Sequence, residues 1–163
     1  MKPWSAHRVS LCALLVALML ILGYIESLIP IGTIPGIKLG LSNSVLLLSL
    51  WWLGIPVTVC LMLAKVILSG LLFSGVNAML YSLAGGILSL IVMSVLYGTG
   101  FGFVPTGIAG GVFHNVGQVG LAMLILETDK LVYYMGVLML VGLGTGFVTG
   151  TLASALQKRI PHL

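Results

Sequence analysis

Long apolar runs, separated by short groups of glycine, proline and charged residues, cover most of this chain. A helix needs about 20 apolar residues to cross roughly 30 Å of hydrocarbon, at a rise of about 1.5 Å per residue. The runs lack the period-two alternation that membrane β-barrels require. The pattern therefore predicts an all-α integral membrane protein, a bundle of six transmembrane helices at about 9–28, 39–53, 56–73, 77–97, 104–126 and 131–156.

The segment at 39–53 is the shortest of these runs. It falls short of a full crossing, so we expect a tilted or partly interfacial helix, or one that begins earlier than this boundary. The connections between the segments are short and leave no room for a second domain. We therefore expect residues 1–163 to form a single six-helix transmembrane domain.

The amino-acid composition supports a membrane location. Hydrophobic residues make up 60% of the chain and charged residues 6%, with a mean hydropathy of +1.24, whereas a soluble domain is about 25% charged. Seven basic and three acidic residues cannot form the polar shell of a soluble globule. The net charge of +4 does not indicate a nucleic-acid partner, because the basic residues are scattered singly apart from Lys158 and Arg159.

Basic residues near both termini predict an orientation. Six crossings place the two termini on the same side of the membrane, and that side holds Lys2, Arg8, Lys158 and Arg159. Positive charge next to membrane spans favours the cytoplasmic side. We therefore predict a multi-pass protein of the inner (cytoplasmic) membrane with both termini in the cytoplasm.

Polar residues interrupt two of the predicted spans near their middle. Lys65 and His114 each lie about ten residues into their segments, where an ionisable group costs at least roughly 2.5 to 3.5 kcal/mol on insertion scales. Gln118 shares a helix face with His114, and Asn115 lies alongside. Such a stripe indicates either hydrogen bonds that hold helices together or a water-accessible ligand cavity. Four polar groups at one depth, including a lysine, favour the cavity.

A second polar site falls at the start of the second segment. Lys38 lies where unpaired backbone N–H groups carry partial positive charge, so an anionic group of a ligand could bind there. The alternative is a lysine that extends to the membrane interface. Asn43 lies about one turn further along and could contribute its side-chain amide.

Residues typical of catalysis are scarce. Prenyl and phosphoryl transferases hold Mg²⁺ with clustered carboxylates, yet the three acidic residues belong to no DDxxD motif. The chain has no GxSxG motif, and its one intramembrane histidine cannot supply both axial ligands of a haem. Two cysteines are too few for a zinc site. We therefore expect binding or translocation rather than enzymatic activity, with no catalytic residue, no metal and no cofactor.

Small residues recur at helical spacing in several segments. Gly107 and Gly111 form a GxxxG step in the fifth segment, and the sixth has two such steps starting at Gly142. This spacing lets two helices approach closely. Ala13 and Ala17 form an equivalent step in the first segment, where either internal packing or contact with another protein would use it.

The segments PGIKLGLSN at 35–43 and GGVFHNVGQ at 110–118 resemble the bacterial Gx transporter family, often labelled "heptaprenyl diphosphate synthase component I". That family is similar to the substrate-binding S components of energy-coupling factor (ECF) transporters, in which an Ala-x-x-x-Ala pattern of the first helix contacts the T subunit. Ala13 and Ala17 match that pattern. The resemblance implies capture of a solute from the outer side, with a T subunit and ATPase subunits on separate chains.

The sequence thus leads to a transport protein of the lipid membrane that binds a small, anionic or amphipathic solute. Its expected ligand-binding residues are Lys38, Asn43, Lys65, His114, Asn115 and Gln118. Two other functions stay open. Some relatives are associated with flavin-based extracellular electron transfer, so the chain could be the membrane component of a flavin- or quinone-linked system. The family label also allows an accessory subunit of a prenyl diphosphate synthase.

Overall fold

The computed structural model describes residues 6–28 and 40–160. These residues form an all-α membrane bundle. When the π-helical turn that follows the third helix is counted with it, each helix boundary lies within three residues of its predicted position. A π-helical turn, Gly70–Ser74, continues the third helix. The helices are α1 (Ala6–Leu28), α2 (Leu41–Leu53), α3 (Ile55–Ser69), α4 (Val76–Gly98), α5 (Phe103–Leu126) and α6 (Leu131–Arg159).

Glycines make the tight turns between successive helices. Gly54 separates α2 from α3 with a φ of 79°, and Gly75 separates the π-helical turn from α4 with a φ of 81°. Residues with a side chain rarely adopt these positive φ values, so a glycine lets the chain change direction within a single residue. Pro56 lies in the first turn of α3, where its missing N–H costs no helical hydrogen bond.

Most of the helices are long and apolar enough to cross a membrane. The described part of the chain has five such helices of 20 to 29 residues, counting α3 together with the π-helical turn. Many of their large apolar side chains are exposed on the outside of the bundle, where Leu14, Leu71 and Leu140 are each at least 66% exposed. These surfaces suit contact with lipid, so the protein is a multi-pass membrane protein.

Helix α2 is the shortest α-helix of the described residues and lies inside the bundle. It has 13 residues and contacts every other helix. Leu46, Leu47 and Leu48, successive residues that point to different sides of α2, are all at most 4% exposed. Helix α2 is therefore the centre of the core and begins at Leu41, while the expectation that it is tilted or partly interfacial stays a prediction.

Glycines bring α5 and α6 into backbone contact. A Cβ built on Gly111 would lie 2.5 Å from the carbonyl oxygen of Gly142, and one on Gly146 would lie 2.5 Å from the carbonyl oxygen of Gly107. No side chain fits at such distances. The prediction that the GxxxG steps serve close helix packing is confirmed, and α5 and α6 form the most extensive interface of the bundle.

Aromatic side chains pack together at the end of the bundle where α2 ends. Trp51 stacks on Phe103 with ring centroids 4.3 Å apart, and Tyr97 meets Trp51 edge-on at 4.8 Å. Next to them, Trp52 Nε1 donates a hydrogen bond to Gln157 Oε1 at 2.5 Å. These contacts tie the ends of α2, α4, α5 and α6 together.

Candidate functional site

A cavity of about 620 Å³ lies within the bundle and is lined by residues of all six helices. Its size falls in the range typical of small-molecule sites. Apolar side chains such as Leu46, Met62 and Val119 form much of its wall. The cavity lies away from the aromatic packing at Trp51, and Glu26 and Phe73 lie toward its opposite end.

The structure brings the predicted polar residues together. Five of the six expected ligand-binding residues line the cavity, while Lys38 lies outside the described residues. They come from three different helices, α2, α3 and α5, so chain folding rather than sequence proximity assembles them. Their role in binding a solute stays a prediction. The five are Asn43, Lys65, His114, Asn115 and Gln118.

Lys65 and Asn43 form a direct link across the cavity wall. The Lys65 Nζ atom donates a hydrogen bond to Asn43 Oδ1 at 2.7 Å, and both side chains are half-buried. An ammonium group away from bulk water is costly unless an acceptor compensates for its lost hydration. The amide oxygen supplies a charge-assisted hydrogen bond, so it stabilises Lys65 inside the bundle and joins α3 to the first turn of α2.

His114 and Gln118 lie on one face of α5, as their i, i+4 spacing predicted. Both contact the same glycine on α4: a Cβ built on Gly85 would lie 2.7 Å from Gln118 Cγ and 3.2 Å from His114 Cε1. Gly85 therefore leaves the space in which these two side chains reach the cavity. The pattern of GxxxG steps did not identify this residue, which packs against Gly117 and the backbone carbonyl of His114 as well as against these two side chains.

Asn115 has a structural role as well as a place in the cavity wall. Its Nδ2 atom donates a hydrogen bond to the carbonyl oxygen of Leu138 on α6 at 2.6 Å. The interpretation of the polar stripe as interhelical hydrogen bonding thus holds for this residue. The carbonyl of Leu138 accepts the bond in place of water, which is absent at this depth of a bilayer.

Glu26 lines the cavity but was not among the expected ligand-binding residues. Its side chain is only 5% exposed, and its Oε1 atom accepts a hydrogen bond from the backbone N–H of Leu41 at 2.5 Å. A carboxylate at a helix N-terminus satisfies an unpaired N–H and interacts favourably with the helix dipole. Part of the positive end of α2, which we expected to attract an anionic ligand, is therefore occupied by the protein's own carboxylate. The sequence feature that could have identified Glu26 is an acidic residue at the end of an apolar run.

Hydroxyl groups add to the polar surface of the cavity. Ser42 is 3% exposed, and its Oγ is buried without a hydrogen-bond partner, whereas Ser89 Oγ donates to the carbonyl oxygen of Gly110 at 2.8 Å. Nothing in the sequence distinguishes these residues, since hydroxyls in membrane helices commonly bond to their own backbone. Other hydroxyl residues of the lining are Ser69, Ser74, Tyr81, Ser82, Tyr134, Thr145 and Thr149.

The π-helical turn shapes one part of the wall. Phe73 and Ser74 belong to this turn and line the cavity, and Phe73 packs edge-on against Tyr24 of α1 with ring centroids 5.6 Å apart. Gly70, at the start of the turn, lies so close to Met79 that an added Cβ would come within 2.6 Å of its Cβ. Single π-helical turns occur frequently at functional sites.

The alanine step of α1 faces outward. Ala13 and Ala17 are both exposed, whereas Leu15 and Met19 on the same helix are buried against the core. Close internal packing is therefore not their role in the described structure. They are accessible to lipid or to another membrane protein.

Among the described residues, the cavity lining carries hydrogen-bonding groups, one acidic residue, Glu26, and one basic residue, Lys65. Within 6–28 and 40–160, no three His, Cys, Asp or Glu side chains come close enough together to hold a metal ion. Glu26 contacts Leu41, and Glu127 and Asp129 are exposed in the turn between α5 and α6. The cavity is suited to a ligand that has a polar group next to an apolar part.

The fold and the cavity define a polytopic α-helical membrane protein with an internal site of small-molecule size. The family described as Heptaprenyl diphosphate synthase component I has a family model that matches residues 15–156. This match covers most of the chain, so the protein belongs to that family. Comparisons with curated proteins and with solved structures gave no match.

Proposed function

We propose that this protein is the substrate-binding subunit of a membrane transporter, similar to an ECF S component. It captures a small amphipathic solute from the outer side of the inner membrane. The observation that carries the proposal is the cavity of about 620 Å³ on which Asn43, Lys65, His114 and Gln118 converge.

The free-energy cost of the cavity and of its ionisable residues supports a binding role. Ionisable groups within membrane spans are expensive and usually mark ligand or ion pathways. A cavity of this size also forgoes the dispersion contacts that a close-packed interior would make. Helices α5 and α6 show that this chain can pack backbone against backbone elsewhere. A ligand that fills the space during function explains why the bundle is open here.

The partners follow from the resemblance and from the exposed alanine step. Ala13 and Ala17 present a smooth face of α1 to the outside of the bundle. We propose that a T subunit docks on this face and that ATPase subunits on separate chains supply energy. In this arrangement both termini are cytoplasmic, as the basic residues near them predict.

We further propose that the protein is not itself an enzyme. Each of its acidic residues is accounted for: Glu26 is bound to the N–H of Leu41, and Glu127 and Asp129 are exposed in one turn. A transferase that uses Mg²⁺ needs carboxylates gathered around a substrate. The arrangement of these acids supports binding rather than phosphoryl or prenyl transfer.

The family description favours a second candidate, an accessory subunit of a prenyl diphosphate synthase. In that role the apolar part of the cavity would hold a prenyl chain and Lys65 would face the diphosphate. Membranes that contain this protein and a soluble synthase partner would then elongate prenyl diphosphates, whereas membranes lacking it would not. Elongation that is independent of this protein would remove the second candidate.

Native mass spectrometry of gently extracted protein tests the binding proposal. We expect a co-purifying small molecule with the wild-type protein and its loss in Lys65→Met and His114→Ala. The matched control is Lys130→Met, which removes an exposed lysine outside the cavity. In proteoliposomes with the energising subunits, the same variants should lose uptake of that molecule. Unchanged binding and uptake in both cavity variants would overturn the assignment.

A further inference from the structure

Two opposite charges meet the first turn of α2 at the cavity wall. Glu26 accepts a hydrogen bond from the N–H of Leu41, and two residues further along Asn43 accepts one from Lys65. Glu26, Asn43 and Lys65 all line the cavity. The carboxylate and the ammonium group therefore flank a single helical turn, and each is held in place by a hydrogen bond to α2.

Among the described lining residues, this end of the cavity carries one acidic and one basic side chain. Apart from Glu26 and Lys65, the ionisable side chains among the described lining residues are His114 and the two phenols Tyr81 and Tyr134. An anionic ligand group that approaches Lys65 also approaches the carboxylate of Glu26 and is repelled by it. A cationic group meets the same conflict with Lys65. Low local dielectric strengthens both attraction and repulsion.

A buried hydroxyl group lies near these charges, beside Gly23 of α1. Ser42 lines the cavity between Leu41 and Asn43, and its Oγ has no hydrogen-bond partner. A buried hydroxyl without a partner is costly, and it can both donate and accept. Further along, Leu46 on α2 and Val66 on α3 provide an apolar wall.

From these contacts we propose that the ligand is an amphipathic molecule whose polar group carries no net charge, either zwitterionic or a neutral donor-acceptor such as an amide. Its polar group lies at the first turn of α2 between Glu26 and Lys65, and its apolar body lies against Leu46 and Val66. This selectivity rests on the proposed binding function and deepens it. It disfavours a prenyl diphosphate, whose negative charges would face Glu26.

A set of probes that share an alkyl chain and differ in head group tests this proposal. The probes are decanoate, decylamine, decanamide and 2-aminododecanoic acid, offered as an equimolar mixture to the protein in lipid nanodiscs. Native mass spectrometry after release reports which probes stay bound. Ala122→Trp, which places a large side chain in the cavity wall, separates cavity binding from partition into lipid. We expect decanamide and 2-aminododecanoic acid to bind in preference to both charged probes.

Charge variants sharpen the test. Glu26→Gln keeps an oxygen acceptor for the N–H of Leu41, so the fold is retained while the negative charge is lost. We expect it to shift preference toward decanoate by about tenfold, and Lys65→Gln to shift it toward decylamine by a similar factor. Asp129→Asn and Lys130→Gln remove matched exposed charges outside the cavity and should leave the ranking unchanged.

Several outcomes overturn the proposal. These are wild-type preference for decanoate or decylamine, no cavity binding of the net-neutral probes, and unchanged ranking in Glu26→Gln and Lys65→Gln. Uptake of the probes into proteoliposomes with energising subunits separates this inference from the transport function. Selective binding without uptake would defeat transport and leave the selectivity standing. Uptake that prefers decanoate would defeat the selectivity and leave transport standing.

Discussion

The ammonium group of Lys65 lies 2.7 Å from the side-chain oxygen of Asn43, so the middle of α3 is bonded to the first turn of α2. These residues are far apart in sequence, and each drew attention separately as a polar position in an apolar run. Their contact fixes the buried helix α2 against its neighbour. It also places a positive charge on the wall of the cavity.

Loss of the Asn43 acceptor should destabilise the protein. Asn43→Ala leaves the Lys65 ammonium without this hydrogen bond in a half-buried position, which we expect to cost about 1 to 3 kcal/mol of unfolding free energy. Thermal unfolding in detergent, followed by circular dichroism, measures the change. Asn77→Ala is the control, because Asn77 is exposed near the start of α4. Equal effects of the two variants would contradict the importance of the link.

A methyl group at the α5–α6 interface should separate the two helices. Gly146→Ala places a Cβ 2.5 Å from the carbonyl oxygen of Gly107, and the resulting overpacking should cost about 1 to 3 kcal/mol. Gly144→Ala, two residues away, meets nothing within 4 Å and should be neutral or stabilising by up to about 1 kcal/mol. Melting temperatures of the two variants give the comparison. A stable Gly146→Ala protein would show that the helices tolerate wider spacing.

The carboxylate of Glu26 should protect the beginning of α2. Glu26→Ala removes the acceptor of the Leu41 N–H, with an expected loss of about 0.5 to 2 kcal/mol, whereas Glu26→Gln retains an acceptor. Hydrogen–deuterium exchange of a peptide that covers Leu41 should be faster in Glu26→Ala than in Glu26→Gln. Identical exchange in both variants would mean that the carboxylate does not cap the helix.

The aromatic packing at Trp51 should stabilise the bundle without taking part in ligand binding. Trp51→Ala removes contacts with Phe103 and Tyr97 and should cost about 3 to 5 kcal/mol. Trp52→Phe, which removes only the hydrogen bond to Gln157, should cost about 1 kcal/mol. Unfolding experiments measure both. At a temperature where the Trp51→Ala variant is folded, the variant should retain the small molecule that co-purifies with the wild-type protein. Loss of that molecule would show that this end of the bundle affects the site.

Much of the fold could be predicted because a membrane span depends mainly on the residues of its own segment. The six helices were predicted from the apolar runs and from the breaks between them, such as Gly54 and Pro56. In lipid an apolar segment must satisfy its own backbone hydrogen bonds, and a helix does so. The site was predicted in part for a similar reason. A polar group such as Lys65 or His114 stands out against an apolar background, where it needs a partner.

Contacts between distant segments could not be predicted in the same way. The carboxylate of Glu26 accepts a hydrogen bond from Leu41, 15 residues further along the chain, and Asn115 bonds to a backbone carbonyl of α6 that any residue would carry. Neither partner has a distinctive side chain. The burial of α2 was likewise hidden, because an apolar helix has the same sequence character whether lipid or protein surrounds it.

The sequence by itself determined that this is an α-helical membrane protein, where its helices lie and which residues are polar at mid-span. Those properties depend on the free energy of moving each segment from water into lipid. That free energy is set by the composition of the segment itself. Only the tertiary structure decided that α2 forms the core, that Glu26 and Lys65 flank its first turn, and that the polar residues line one cavity. Those features depend on how the helices rotate and pack against one another, and backbone contacts such as Gly111 with Gly142 fix that packing.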